Sequence, residues 1–302
     1  MTAPTFHDGE IALQRRAGSY ERMAAAGPRV IRGFMPDQHR EFFALLPLLL
    51  AGSLDASGQP WASVLTGPAG FVHSPDAQLL RIDALPLPHD PLAGRLREGL
   101  SIGLLGIQPH TRRRNRMNGT VAALDAGGFS VRVDQSFGNC PKYIQAREPV
   151  YLPDAPAAGA PQAMDALDAD ARRAIAQADT FFIATGHPQA PAGAGQPAFG
   201  VDVSHRGGPP GFVRVDDDGV LRVPDFVGNG FFNTLGNLAL EPRCNLLFID
   251  YASGALLSVV ARGSVEWTDQ SPPRGTALTA RRVRFDVAWA LRIPGALPLH
   301  WT

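Results

Sequence analysis

Apolar and polar positions along this chain alternate in short runs, which predicts many strands and few helices. GSLDASGQPWASVLTG (52–67) reads as strand, turn at Ala56–Gln59, strand, and FVHSPDAQLLRI (71–82) adds a strand pair around Ser74–Asp76. LSIGLLGI (100–107) has the unbroken apolar character of a buried strand, and RRNRMNGTVAAL (113–124) that of a partly exposed one. GGFSVRVDQSF (127–137) sets Phe129, Val131 and Val133 on one face. Helical spacing is confined to a few places. Residues 8–26 start at Asp8, a candidate N-cap, and stop at Gly27-Pro28. HREFFALLPLLLAG (39–52) runs from helix into strand, and PLAGRLREG (91–99) predicts a short helix.

The second half follows the same order. DTFFIATG (179–186) is a strand, GQPAFGVDVSHRGGPPGFVRV (195–215) a strand, a glycine-rich turn and a strand, and GVLRVPD (219–225) another strand. NTLGNLALEP (233–242) is helical, CNLLFIDY (244–251) and LLSVVARGSVEW (256–267) form a strand pair, and RRVRFDVAWAL (281–291) closes the series. LLRIDALPLPHDPLAGRLREGLSIGLLGI answers VLRVPDFVGNGFFNTLGNLALEPRCNLLFI. Asp83 and Asp225, Gly94 and Gly236, Leu96 and Leu238, and Leu104 and Leu246 are each 142 positions apart (225 − 83). VRVD (131–134) and VRFD (283–286) are 152 apart, so about ten residues have been inserted between them. A shared apolar pattern would not keep an aspartate and a glycine in register. The chain is a duplication, and a period this long is a repeated domain, since solenoid repeats span only about 20–50 residues.

Strands without strand–helix alternation argue for a mainly β fold, a β-barrel with peripheral helices, duplicated in tandem. The expected organisation is an N-terminal helical arm over 1–40 and a first barrel over 41–150. A linker and short helix follow over 151–172, where PDAPAAGAPQAMDALDADARRA is Pro/Ala/Gly-rich at its start, and then a second barrel over 173–302.

Composition removes several classes of function. Lys and Arg number 28, Asp and Glu 28, so no chain-wide attraction to nucleic acid or to a membrane surface is expected. Cys140 and Cys244 cannot form a disulfide framework or hold an iron–sulfur cluster. The first sixteen residues lack the apolar core of a secretory signal, and the longest apolar run, 42–52, is about half a bilayer span. These features predict a cytoplasmic protein. The histidines form no pair at ligand spacing, and HExxH, CxxC, GxSxG and a strand-following GxGxxG are all absent. No metal site is expected.

Three segments could carry chemistry. SHRGGPPGF (204–212) and PDFVGNGFFNTLGN (224–237) form the first. Glycines there permit close backbone approach, and Asn233 or Thr234 is a candidate cap for a helix over 234–241, whose free amides would suit a phosphate. A tight hairpin followed by an ordinary capped helix explains the same residues. The second is QSFGNCPKYIQ (135–145), which groups Ser136, Asn139, Cys140, Lys142, Tyr143 and Gln145 in one loop; it reads either as ligand-facing or as gap-filling at a domain boundary. Third is TRRRNRMNG (111–119), with Arg112, Arg114 and Arg116 on one strand face and Arg113 on the other. A solvated or domain-contact role is favoured for it over contact with an anion.

NTLGNLALEPRCNLLFID is similar to the helix–NP–strand segment of the pyridoxamine 5'-phosphate oxidase-like FMN-binding split barrels. SHRGGPPGFV, PDFVGNGFFNTLGNL and QSFGNCPKYIQ together resemble a tandem-barrel branch described as flavin-nucleotide-binding proteins. The resemblance covers roughly residues 30–302. It implies two tandem split β-barrels with FMN in the cleft between them. Carried over by position, Ser204, His205, Arg206, Gly207, Gly208, Pro224, Asp225, Asn229, Asn233, Thr234 and Leu235 would line the flavin. Ser136, Asn139, Cys140, Lys142 and Tyr143 would reach the same cleft from the first barrel. A Ser-Arg-Lys triplet precedes this helix in the oxidase, whereas here the positions read Phe232, Asn233 and Thr234, which puts vitamin B6 oxidation in doubt. The first half, DALPLPHDPLAG at the matching place, reads as degenerate. The implied function is an FMN-dependent oxidoreductase of unidentified substrate, reduced by NAD(P)H or another reductant, with a homodimer compatible. The alternatives are a non-catalytic flavin, deazaflavin or haem binding module and a ligand-free dimerisation scaffold.

Overall fold

The computed structural model describes residues 4–190, 196–269 and 275–302. Three helices lead: α1 (Asp8–Arg16), α2 (Tyr20–Val30) and α3 (Asp37–Ala44). The first sheet comprises β1 (Leu48–Leu54), β2 (Pro60–Thr66), β3 (Val72–Asp76), β4 (Leu79–Ile82), β5 (Ser101–Gln108), β6 (Arg113–Asp125) and β7 (Gly128–Gly138). After β8 (Pro149–Tyr151), β9 (Gln162–Met164) and α4 (Ala169–Gln177), the second sheet begins with β10 (Thr180–Gly186), β11 (Val201–Gly207), β12 (Arg214–Val215) and β13 (Leu221–Phe226). It continues through α5 (Asn233–Leu240), β14 (Arg243–Ile249), β15 (Leu256–Trp267) and β16 (Leu278–Ile293); β17 (Leu299–Trp301) pairs with β8.

Both large sheets are antiparallel and share one strand order. The first runs β2-β1-β5-β6-β7-β4-β3, the second β11-β10-β14-β15-β16-β13-β12. Register agrees as well. Ala51 faces Ser63 on one side and Leu104 on the other; Ile183 faces Ser204 and Leu246 in the same way. The molecule is mainly β, two split barrels with peripheral helices.

Period-two alternation explains why the central strands read as continuous apolar runs. Leu49 and Ala51 of β1 enter the core of the first barrel, while Leu48 and Leu50 enter a third core shared by both halves. In β10 the same division sends Phe181 and Ile183 into the second barrel and Phe182 and Ala184 into the shared core. Burying both faces of β1, β5, β10 and β14 fixes the two halves side by side, because separating them would expose Leu50, Val64, Phe182 and Leu247 to water.

Three local expectations fail. Helix α1 is capped by His7 rather than Asp8: His7 Nδ1 accepts from Gly9 N, and Glu10 Oε2 accepts from His7 N. Gly27-Pro28 lies inside α2 instead of ending it. Pro28 there removes one helical hydrogen bond, and Gly27 is pressed against Phe6, so packing holds the last turn. PLAGRLREG forms turns, not a helix. The seven residues between Pro91 and Gly99 are mostly good helix formers, but the segment is too short to propagate a helix and Gly94 weakens it further.

The GGPP segment also has a structural explanation. GPAGF (67–71) and GPPGF (208–212) make the same turn, with Phe71 N on Pro68 O and Phe212 N on Pro209 O at 3.0 Å each. Gly70 and Gly211 both adopt the left-handed backbone this turn needs, φ 94° and 85°.

Candidate functional site

A cavity of about 280 Å³ opens between the halves. Strand β11, the end of β13, the loop 227–232 and the start of α5 build its second-half walls. Strand β6 and the loop after β7 close it from the first half, and Ala17, Ser19 and Arg22 of the helical arm border it. Fourteen of the sixteen residues expected from sequence line it: Ser204, His205, Arg206, Gly207, Pro224, Asp225, Asn229, Asn233, Thr234, Leu235, Asn139, Cys140, Lys142 and Tyr143. Gly208 and Ser136 do not. Gly208 belongs to the GPPGF turn, where its amide bonds Asp179 O. Ser136 is fully buried, its hydroxyl 2.9 Å from His39 Nδ1 and its backbone paired with Arg32.

Charge is distributed unevenly. Arg22, Arg114, Arg116, Lys142, Arg206 and Arg281 line the cavity against a single carboxylate, Asp225. Asp225 is consumed by Arg281, at 2.8 Å. Arg116 is spent on Asp202 at 2.9 Å, on Val203 O at 3.1 Å and on Ser204 Oγ. Arg206 is half-buried, with no hydrogen-bond or ion-pair partner among the described residues. Burial lowers its pKa, and nearby Asp225 partly offsets this. A guanidinium without an acceptor in a low-dielectric wall is an open demand for an anion.

Arg114 donates Nε to Cys140 O at 2.8 Å and Nη1 to His205 Nδ1 at 2.9 Å. Arginine can only donate, so His205 Nδ1 accepts and Nε2 carries the hydrogen. Burial first, then Arg114, Arg206 and Arg147, push His205 well below the usual histidine range, so the imidazole is neutral at pH 7. Burial also lowers Arg114 to about 10, which leaves it charged. The arginine stretch was expected to be solvated or to contact the other domain. Arg116 makes that domain contact, Arg114 faces the cavity as well, and Arg112 lies outside β6 in a left-handed turn.

Helix α5 starts without a side-chain cap, because the N-cap position is Phe232 in left-handed conformation (φ 65°). Neither candidate cap performs that role. Asn233 donates to Glu10 Oε1 at 2.5 Å, and Thr234 Oγ1 bonds Ser204 Oγ at 2.8 Å. The amides of residues 233–235, which a helix cannot satisfy internally, therefore stay uncapped at the cavity wall. Gly207 is required by the loop opposite: a Cβ there would stand 2.0 Å from Tyr143 O. Tyr143 in turn stacks on Phe226 at 5.0 Å and donates to Val227 O at 3.0 Å, joining the two halves across the mouth.

The sequence reading missed the contribution of the arm, of Arg281 and of Phe226. Arg281 opens the RRVRFDVAWAL segment, where the sequence does not distinguish it from Arg282 or Arg284, and nothing in the arm's sequence places Arg22 here.

No family model matches the chain, and no curated protein does. Solved structures match in part. The HupZ protein of Group A Streptococcus aligns with 42% of this chain and 98% of its own, at 9% identity and a TM-score of 0.30. A Clostridium acetobutylicum protein related to general stress protein 26 of B. subtilis, of the pyridoxinephosphate oxidase family, covers 40% of this chain and 83% of its own at 12% identity and TM-score 0.28. A putative 5-nitroimidazole antibiotic resistance protein from Bacteroides thetaiotaomicron covers 45% and 91% at 12% identity and TM-score 0.27. Each spans less than half of this chain. Among the described residues no helix is long and apolar enough to cross a membrane, and no group of three or more His, Cys, Asp or Glu could hold a metal ion.

Proposed function

We propose that the cavity holds flavin mononucleotide and that the chain is a flavin-dependent oxidoreductase. One observation carries the reading: an uncapped helix start and the unpartnered Arg206 share one wall of a crevice with six cationic side chains and one paired carboxylate. A dianionic phosphate ester fits this donor set, with the amides of 233–235 and Arg206 holding it. Tyr143, Phe226 and Phe232 offer planar apolar surface for a ring system. Bound FMN would supply the redox chemistry itself. The chain would orient the ring, hold positive charge beside it through Arg114, and keep His205 neutral as an Nε2–H donor.

Register supports one such site per chain. The positions corresponding to His205, Arg206, Arg114 and Arg116 in the other half are Val64, Leu65, Leu256 and Ser258, which bring no charge. Purified protein should therefore carry yellow chromophore, release FMN on denaturation in a ratio near one per chain, and be bleached by NAD(P)H or dithionite without oxygen. Apoprotein that fails to quench FMN fluorescence at micromolar concentration would overturn the proposal; a Soret band would replace it with haem binding.

A further inference from the structure

We infer that the duplication left two equivalent anion seats, of which the first is filled by the chain's own Asp90 and the second is kept open because Glu10 of the helical arm ties back Asn233. The inference rests on the anion-binding reading of the cavity and extends it to the first half and to the arm.

Sheet register makes Ser63 the counterpart of Ser204. After β4 and β13 the chain makes the same entry turn, with His89 and Phe232 both left-handed at φ 66° and 65°. Three residues later Leu92 and Leu235 are buried in the core of their own barrels. This alignment pairs Asp90 with Asn233. In the first half the Asp90 carboxylate accepts from Ser63 Oγ at 2.6 Å and from Leu92 N at 2.7 Å, and is almost fully buried. A carboxylate is thus held by a strand hydroxyl and a first-turn amide.

The second half offers the same donors with no carboxylate among them. Ser204 and Thr234 are at least nine-tenths buried and share one hydrogen between their hydroxyls. Arg116 donates to Ser204 Oγ, so one of the two hydroxyl protons has no acceptor among the described residues. Asn233, which stands where Asp90 stands, points away to Glu10. Glu10 can reach it because α1 crosses α5 at backbone distance: a Cβ on Gly9 would lie 2.3 Å from Gly236 O, and one on Gly236 2.7 Å from Glu10 N. In this structural alignment, shifted by one from the 142-residue offset, Gly94 follows the counterpart of Gly236, and nothing lies within 4 Å of a Cβ built on it, so no helix is seated on the first half there.

The test replaces Asn233 by Asp, restoring the carboxylate of the first half, and by Ala, removing the side chain. Inorganic phosphate and FMN are titrated separately against wild type and both variants, by calorimetry and by flavin fluorescence. Wild type should bind phosphate at one site per chain, Asn233→Asp should bind it at least tenfold more weakly, and Asn233→Ala should stay within threefold. Unchanged binding by Asn233→Asp, or a tenfold loss in Asn233→Ala, would overturn the inference. Should Asn233→Asp not fold, Glu10→Ala gives the same reading, since it frees Asn233 to enter the seat; unchanged phosphate binding there also overturns it. Phosphate binding that follows this pattern without FMN binding would refute the flavin reading and leave the seat standing. FMN binding by a wild type indifferent to phosphate would do the reverse.

Discussion

Removing Arg116 tests how the halves are joined and how Ser204 is held. Its guanidinium crosses from β6 to β11 and is almost completely buried, bonding Asp202, Val203 O and Ser204 Oγ. Asp202 retains Asn118 at 2.8 Å and Asn237 at 3.0 Å, both neutral donors. Arg116→Met keeps much of the side-chain volume and leaves a buried carboxylate without its cation, which costs about 3–5 kcal/mol. An unfolding entropy of about 2.1 cal/mol/K per residue over 302 residues is roughly 0.6 kcal/mol/K. The melting temperature should therefore fall by about 5–8 °C. Asp202→Leu should cost a similar amount, by stranding the arginine, whereas the double variant should recover part of the loss because no buried charge is left unpaired. Scanning calorimetry of the four proteins closes the cycle. A drop under about 1 °C in Arg116→Met, or strictly additive single effects, would refute the view that this pair is a desolvated, mutually dependent bridge.

Three further outcomes are expected. Arg206→Gln should weaken FMN at least tenfold in fluorescence titration while leaving riboflavin within twofold, since only the phosphate ester meets the guanidinium; equal losses would remove Arg206 from the phosphate site. Gly207→Ala forces a Cβ to within 2.0 Å of Tyr143 O, so the loop after β7 must shift; lowered melting temperature and impaired flavin retention together are the readout, and a variant indistinguishable from wild type refutes the close approach. Asp90 is raised from 3.8 to about 6 by burial, which means the folded state holds its proton more tightly than the unfolded state does. Its contribution to stability is present below pH 3.8 and is lost as pH rises through 6, about 3 kcal/mol at 1.36 kcal/mol per pH unit. Asp90→Asn should flatten that part of the urea-denaturation profile between pH 4 and 6, and an unchanged slope would show that Asp90 is not its source.

A further feature of the same region is the contact between His7 and Glu10 inside the arm. His7 Nε2 and Glu10 Oε2 stand 3.6 Å apart, but burial lowers His7 to about 4 and raises Glu10 well above the carboxylate range. At pH 7 the imidazole is uncharged, so the contact is not an ion pair, and the cap consists of His7 Nδ1 accepting from Gly9 N and Glu10 Oε2 accepting from His7 N.

The sequence by itself determined the β character, the order of strands and the duplication, because period-two burial and a fixed 142-residue offset are local or internal properties of the chain. It also placed His205, Arg206 and the 139–143 loop near one another, through a resemblance carried by three separated segments. Helix ends and the helix at 91–99 were misjudged because capping by His7, the survival of α2 past Pro28 and the collapse of PLAGRLREG into turns depend on neighbours distant in sequence. Only the tertiary structure decided which cations are free. Arg116, Arg206 and Arg281 are chemically alike along the chain, and they differ because folding brings Asp202 to the first and Asp225 to the third, while Arg206 meets no carboxylate within hydrogen-bonding distance. The same holds for Asn233 and Asp90, one drawn off by a helix 223 residues away and the other turned onto its own strand. Burial and partner, which set the chemistry of an ionisable or amide side chain, are properties of the packed molecule.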